Sequence, residues 1–357
     1  MLSWNVRGIN DLRKIDVLKS FLRDWKCDLV CLQETKLEEV SCSIVRSLWR
    51  NYDVDFAFLK AVGASGGVLV MWDKNTFNLV SSSQGEFSIT CILSRMIEDD
   101  FSWAFSGVYG PQARTDKLRF WAELHSARDG WPGPWCFGGD FNEILYPQER
   151  SSGVCPANTM MEFHDFINYA ALVDLPLRGG EHTWSRSGGE AVRSRFDRFL
   201  VSLDWEEHYP EAIQSRLPRP VSDHFPISIE RAKMERGKIP FKFENMWLKV
   251  EGFSNLGKNW WEEIEVGGFA SFVLARKLKL VKEELKKWNK EVFGDIKLRK
   301  YNLMGSINEL NMKEESESLS SAEIDQRKGF AHGRSFLEAK VKGSGAERWV
   351  SQHKVFP

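Results

Sequence analysis

Paired cysteines are missing from this sequence. The six Cys, at positions 27, 31, 42, 91, 136 and 155, form no Cys-x-x-Cys pair, and no His clusters with them. That excludes the common zinc modules and fits reduced, mostly buried thiols of an intracellular protein. Long apolar runs are missing too. No stretch approaches the ~18 residues from which a membrane span is read, and the N-terminus runs straight into Leu2-Ser3-Trp4-Asn5 with no secretory leader. Neither a membrane nor an exported context is expected. An excess of charge is also lacking, with 49 Lys and Arg against 50 Asp and Glu. The balance hides a split. Residues 1–231 carry 25 basic and 32 acidic side chains, a net −7, and the rest carry 24 and 18, a net +6. Bulk charge therefore does not make the first part a phosphate-binding surface, although an acidic site that holds a divalent cation attracts phosphate through that ion.

What is present is enough for a sizeable core. The 357 residues include 15 Trp and are 42% hydrophobic, which suits two domains or one large domain with an appendage. Residues 2–6 read as a short strand with Asn5 near its end. Asn10-Asp11 caps a helix in which Ile15, Leu18, Phe21, Leu22 and Trp25 recur at helical spacing. Residues 28–32 form the next apolar run and deliver Gln33-Glu34-Thr35, so the chain begins as a strand–helix–strand unit. Ligands collect at the carboxyl ends of such strands, where Asn5 and Glu34 both lie. A helix over 38–49 precedes several β-type runs: 54–59, 66–72, 87–93 and 101–108, the last leaving through Gly107-Val108-Tyr109-Gly110-Pro111. Helices are expected over 115–128, with Thr115 as cap and Leu118, Trp121 and Leu124 on one face, and over 156–170. Residues 182–185 and 195–201 read as a hairpin across a Gly-rich turn at 187–190, and 222–229 as the last strand. The mixture without strict alternation predicts an α+β or mixed α/β sandwich rather than a barrel.

Composition shifts to Lys, Arg, Glu and Gly near 231–240. The expected division is a first domain over 1–231, a linker over 232–268 and a charged helical segment over 269–357. In that segment Leu274, Leu278, Val281, Leu285, Trp288 and Val292 step as a heptad seam, and Leu303, Ile307 and Leu310 resume it. A helical hairpin or short coiled coil follows, able to seal one chain or to pair two.

The stretch that organises the first domain is Gly139-Asp140-Phe141-Asn142. It follows an apolar run at 134–138, and in extended chain Asp140 and Asn142 would face one site with Phe141 turned into the core. Asn5, Glu34, Tyr109, Asp197, Asp223 and His224 also fall at strand ends or tight loops. Singly, each has an ordinary reading: a turn cap, an exposed carboxylate, a core phenol with a wet hydroxyl, an ion pair of Asp197 with Arg195 or Arg198, a capped surface turn. Together they supply what phosphate hydrolysis needs. Glu34 and a second acid suit Mg²⁺, a hard ion that takes a few carboxylates, waters and substrate phosphate. An Asp activates water. A His with an Asp partner stabilises charge developing on phosphoryl oxygens, and an Asn and a Tyr fix the phosphate.

In order and spacing, Trp4-Asn5, Gln33-Glu34-Thr35, residues 107–111, 139–142, His182-Thr183-Trp184, Arg195-Phe196-Asp197-Arg198-Phe199 and Ser222-Asp223-His224 resemble the endonuclease/exonuclease/phosphatase superfamily over residues 1–231. Within it the chain looks most like the endonuclease domain of plant non-LTR (LINE-type) retrotransposons, which is similar to apurinic/apyrimidinic endonucleases. The resemblance implies a four-layer α/β sandwich, two packed mixed sheets with helices outside, that cleaves a DNA phosphodiester with Mg²⁺, Mn²⁺ being the alternative ion, and leaves a 3′-hydroxyl. It implies Glu34 as direct metal ligand, with Asn5 at the metal and Asp223 assisting. Tyr109 would touch the scissile phosphate, Asp140 would position and deprotonate water beside Asn142, and His224 would contact the phosphate. Asp197 would orient His224, and Thr183 would support the site from behind. A DNA substrate implies a nuclear location. No polymerase motif such as Tyr-x-Asp-Asp occurs, and the chain stops at Pro357 inside what reads as the connector to a reverse transcriptase. The other readings are a phosphomonoesterase or inositol-phosphate phosphatase of the same fold, and a catalytically silent relic.

Overall fold

Strands that are apolar on both sides need cover on both faces, and here two large sheets cover one another. The computed structural model describes residues 1–49, 51–63, 65–96, 101–152, 157–186, 192–231, 243, 247, 248, 250–293, 296–317 and 319–342. A seven-stranded sheet runs in the order β10 (Leu177–Arg178), β14 (Ala212–Arg216), β15 (Ile227–Arg231), β1 (Leu2–Asn5), β2 (Leu29–Gln33), β4 (Ser65–Asp73), β3 (Val54–Val62). A six-stranded sheet runs β5 (Phe77–Gln84), β6 (Ser88–Arg95), β7 (Ser102–Tyr109), β8 (Trp135–Asp140), β13 (Asp197–Ser202), β9 (Leu172–Asp174). A two-stranded ribbon, β11 (Trp184–Arg186) with β12 (Val192–Ser194), belongs to neither sheet and bridges through Trp184 to His224.

Alternation along each strand builds the layers. Leu29, Cys31, Val68, Val70 and Trp72 of the first sheet meet Ile89, Cys91, Leu93, Trp103, Phe105, Phe199 and Val201 of the second in a shared core. Their neighbours, Leu2, Trp4, Val30, Leu32, Leu69 and Met71, turn outward against α1 (Leu12–Trp25) and α2 (Cys42–Leu48). On the far side Ala104, Val108, Trp135, Phe137 and Leu200 pack against α3 (Arg114–Asp129) and α4 (Ala157–Tyr169). A short α5 (Leu203–His208) follows β13. The expected four-layer sandwich is thus present.

Local chemistry explains the parallel pairs. β1 and β2 are parallel with α1 crossing between them, and Asp11 caps α1 by accepting from the Arg13 N–H at 2.9 Å. β7 and β8 are parallel across α3. The cap expected at Thr115 is not used: α3 starts at Arg114 behind Ala113, which gives no side-chain hydrogen bond. Its buried face is Lys117, Phe120, Trp121 and Leu124, whereas Leu118 points outward. The expected hairpin also differs. The partner of β11 is β12, and β13 instead joins the large sheet between β8 and β9. The Gly-rich turn at 187–190 lies outside the described residues.

The chain forms two compact units, Met1–Arg236 with Ile307–Ala331, and Gly237–Ser306 with His332–Pro357. The turn between α8 (Ile296–Ser316) and α9 (Ser321–Lys342) therefore belongs with the sandwich. In the second unit α6 (Phe253–Glu263) falls inside the stretch expected as linker. Trp247, Phe253 and Leu285 are buried together, with Val281, Trp260 and Trp288 packed against them, so aromatic residues of the former linker cover α7 (Ala270–Phe293). Leu274 and Leu278, the first positions of the heptad seam, are exposed. The side chain of Val292 lies outside the described residues. Among the described residues no helix is long and apolar enough to cross a membrane.

Candidate active site

Three strands of the six-stranded sheet end side by side, each in a polar residue. Tyr109 closes β7, Asp140 closes β8 and Asp197 opens β13. The register sets Tyr109 against Asp140 and Asp140 against Asp197. The other sheet brings Asn5 at the end of β1 and Glu34 just past β2. Two glycines permit this convergence. A Cβ at Gly139 would run into the Val108 carbonyl, and one at Gly110 into the backbone of Phe141.

Asp140 is completely buried, so its polar atoms must find partners inside the protein. Its Oδ2 accepts from Asn5 Nδ2 at 2.9 Å and from Asn142 Nδ2 at 3.3 Å, and its Oδ1 accepts from the Asn142 N–H at 2.8 Å. Asp140 and Asn142 meet, but not by the expected route. β8 ends at Asp140, and Asn142 adopts φ +49°, a left-handed conformation that Asn tolerates. The chain folds back instead of running on, and Asn142 Nδ2 also donates to the Gly110 carbonyl at 2.8 Å. Phe141 is buried as expected. Lys117, buried on α3, donates to the Phe141 and Asn142 carbonyls at 3.2 and 2.6 Å and pairs with Glu143 at 3.3 Å.

His224 lies between the two aspartates. Its Nδ1 sits 2.9 Å from Asp197 Oδ2 and its Nε2 sits 3.7 Å from Asp140 Oδ2. Behind them Thr183 Oγ1 accepts from the N–H groups of Phe196 and Asp197 at 3.0 and 2.9 Å. This fixes the start of β13, and with it the Asp197 carboxylate. Burial lifts the Asp140 pKa to about 6, against the opposing pull of the His224 charge, and nearby Asp197 adds to the rise. Burial works against a charged His224, but Asp197 and Asp140 outweigh it and hold the imidazole pKa near 9. A carboxylate that gains and loses a proton near neutrality beside a protonated imidazole suits general acid–base work.

Glu34, Tyr109 and Asp223 form a second cluster. The Tyr109 phenol hydrogen-bonds to Glu34, and burial followed by the Glu34 and Asp140 charges pushes its pKa upward, so it stays a donor. Lys36 Nζ lies 3.2 Å and Arg7 Nε 3.8 Å from the Glu34 carboxylate. Arg7 also pairs with Asp223, whose Oδ2 accepts from the Trp184 indole at 3.0 Å. Burial would raise the Asp223 pKa, yet the His224 and Arg7 charges and the Trp184 and Arg7 hydrogen bonds bring it below the usual range.

Every residue expected at the site is therefore found in one of two adjoining clusters: Asn5, Asp140, Asn142, Thr183, Asp197 and His224 in the first, and Glu34, Tyr109 and Asp223 in the second. Arg7, Lys36 and Lys117 join the site from outside the motifs' expected roles, and Trp184 joins it from the His182-Thr183-Trp184 motif. Arg7 and Lys36 follow Asn5 and Glu34 by two residues in sequence, which is the one signal that pointed to them. Lys117 sits mid-helix and gives none.

Two donor sets could hold a cation. Asp140, Asp197 and His224 bring ligand atoms within 4.8 Å of one another. In this set Asp197 already holds His224 Nδ1, and a cation on Nε2 would have to displace any proton there. Glu34, Asp223 and Asn5 present hard oxygens, and Asp223 Oδ1, like Asp197 Oδ1 of the first set, is buried without a hydrogen-bond partner. Oxygen donors of this kind fit Mg²⁺ or Mn²⁺.

The sequence profile of the Endonuclease/Exonuclease/phosphatase family matches residues 2–224. No curated protein matches the chain. Among solved structures, an AP endonuclease from Leishmania major is similar at 18% identity and TM-score 0.51, over 64% of this chain and 86% of that one. A 3′ phosphatase from Neisseria, bound to a product DNA hairpin, is similar at 18% identity and TM-score 0.51, over 65% and 98%. An AP endonuclease from Archaeoglobus fulgidus is similar at 17% identity and TM-score 0.51, over 63% and 96%. At these identities the likeness concerns the fold.

Proposed function

The chain belongs to the endonuclease/exonuclease/phosphatase family, and from that premise we propose that it is a divalent-metal-dependent phosphodiesterase that nicks DNA and leaves a 3′-hydroxyl. The observation that carries the reading is the buried line Asp140–His224–Asp197, with the imidazole Nδ1 2.9 Å from Asp197 and its Nε2 3.7 Å from Asp140. Asp140 takes the proton of the attacking water. Asn5 and Asn142 hold its carboxylate in one rotamer through the bonds they donate. His224, kept charged by Asp197, donates to a phosphoryl oxygen as charge develops there. Tyr109, kept protonated, donates to the same phosphate. Glu34, Asp223 and Asn5 would hold Mg²⁺ or Mn²⁺, which when bound neutralises phosphate charge in an otherwise acidic domain.

DNA as the substrate is supported by the ordered motif set, which looks most like LINE-type retrotransposon endonucleases, and by the fold shared with AP endonucleases. The intact motif set counts against a silent relic. The chemistry of the ends tests the reading. Nicked plasmid should be extended directly by a DNA polymerase, which requires a 3′-hydroxyl. Release of inorganic phosphate from monoesters without nicking would instead identify a phosphatase.

A further inference from the structure

Charged side chains buried behind the Asp223–His224 loop are the feature of the first unit that the proposed chemistry leaves unused. Arg216, Arg219, Glu314 and Arg327 are all less than one-tenth exposed. Arg219 donates to the Asp223 carbonyl and pairs with Glu314 of α8. Glu314 also pairs with Arg327 of α9 at 2.7 Å, and Arg327 donates to Asn311 at 3.1 Å. Beside them Arg216 donates to the His182 carbonyl at 2.9 Å and pairs with Glu315. Phe225, the residue after His224, lies against both guanidinium groups, at 4.1 Å from Arg216 Cζ and 4.5 Å from Arg219 Cζ.

Buried guanidinium groups are expensive, and apolar residues of similar volume would join two helices to a sandwich at lower cost. Burial indeed drives the Arg219 pKa down to about 10, with Glu314 opposing that fall. What the network adds is direction. Other bonds to the loop come from the sandwich and the ribbon, among them Trp4 Nε1 to the His224 carbonyl at 3.0 Å, the Ser185 N–H to the Asp223 carbonyl at 3.0 Å, the Phe225 N–H to the Thr183 carbonyl at 2.6 Å and Ser222 Oγ to the Asn5 carbonyl at 2.7 Å, beside the Arg7 and Trp184 bonds to Asp223 and the Asp197 bond to His224. Arg219, placed between Pro218 and Pro220, adds a hold that is itself anchored in Ile307–Ala331.

We propose that Ile307–Ala331 is a working part of the site: Glu314 and Arg327 hold Arg219, and Arg219 fixes the 217–225 loop so that Asp223 and His224 keep their places. Arg219 and Glu314 are positioning residues, and the site is incomplete without the α8–α9 turn. The inference rests on the phosphodiesterase reading only for its consequence on rate.

The test is hydrogen exchange of the full chain, followed by mass spectrometry, with plasmid nicking on the same samples. In Glu314→Ala the 217–225 amides should exchange roughly tenfold faster or more, with β1 and β8 unchanged, because local opening no longer breaks the buried network. Glu314→Gln keeps an acceptor for Arg219 and should restore most of the protection. Arg219→Lys keeps the pair with Glu314 but loses the fork that reaches the Asp223 carbonyl, so it should loosen the loop and leave α8 protected. Faster exchange confined to α8 and α9 overturns the proposal. In nicking, the kcat of Glu314→Ala should fall roughly tenfold with KM for DNA within about twofold. Full kcat beside a loosened loop also overturns it. A wild-type chain that does not nick counts against the phosphodiesterase reading alone, because the exchange result still decides whether Glu314 holds the loop.

Discussion

Asp140 and Asp197 face each other across the antiparallel pairing of β8 with β13, and His224 bridges them with Nδ1 2.9 Å from one and Nε2 3.7 Å from the other. Two buried carboxylates this close repel unless a cation stands between them. The imidazolium supplies that cation, and each of its shifts follows from the arrangement.

The pH dependence of nicking carries the signature of this trio. Asp140 must be ionised to accept a proton, so kcat/KM should rise as pH passes about 6. His224 must keep its proton, so the rate should fall as pH passes about 9. The profile is a bell. In Asp197→Asn the raising charge is gone, and the alkaline limb should move to lower pH. A profile without either limb contradicts both roles.

Substitution of the same residues should separate chemistry from folding. Asp140→Asn and His224→Gln should each lower the rate by roughly 10²–10⁴, the scale for losing acid–base or oxyanion help. Both side chains are buried, so near-isosteric replacements are the informative ones. Circular dichroism should show an intact fold, and either variant with near-full activity would contradict the site.

Thr183 gives a test with a stability readout. It is completely buried and accepts two backbone N–H groups. Thr183→Val keeps the shape and leaves both donors unpaired, at a cost of about 1–3 kcal/mol each. The urea midpoint should fall accordingly, and the nicking rate should fall with it because Asp197 loses its anchor. An unchanged midpoint would contradict the anchoring role.

Gly139 tests the convergence itself. Gly139→Ala places a methyl group against the Val108 carbonyl. Forcing β7 and β8 apart should cost at least about 1–3 kcal/mol, the usual range for overpacking. Thermal unfolding should report the loss, and Tyr109 and Asp140 should separate with loss of rate. A stable, fully active Gly139→Ala chain would contradict the described pairing.

Much of this site is legible in the sequence because its chemistry sits at strand ends. Asn5, Tyr109 and Asp140 each close a strand that an apolar run already announces. The turn at Asn142 is not legible locally, since its positive φ depends on the Asp140 and Gly110 contacts and not on spacing. The pairing of β13 with β8 is equally non-local, as a strand after a ribbon carries no mark of its partner. Arg7 and Lys117 act through contacts far along the chain. The heptad seam on α7 suits a seal within one chain as well as pairing of two, and its spacing carries no mark of Trp247 and Phe253, which cover Leu285. The Glu314–Arg219 pair spans 95 residues, beyond the reach of any periodic pattern.

The most direct measurement is nicking of supercoiled plasmid by the purified chain, with Mg²⁺ and with EDTA, beside Glu34→Ala and Asp140→Asn. Nicking by the wild-type chain that needs the ion, and that both substitutions abolish, is the predicted result. A folded wild-type chain that leaves the plasmid supercoiled, or that nicks equally in EDTA, would contradict the central claim.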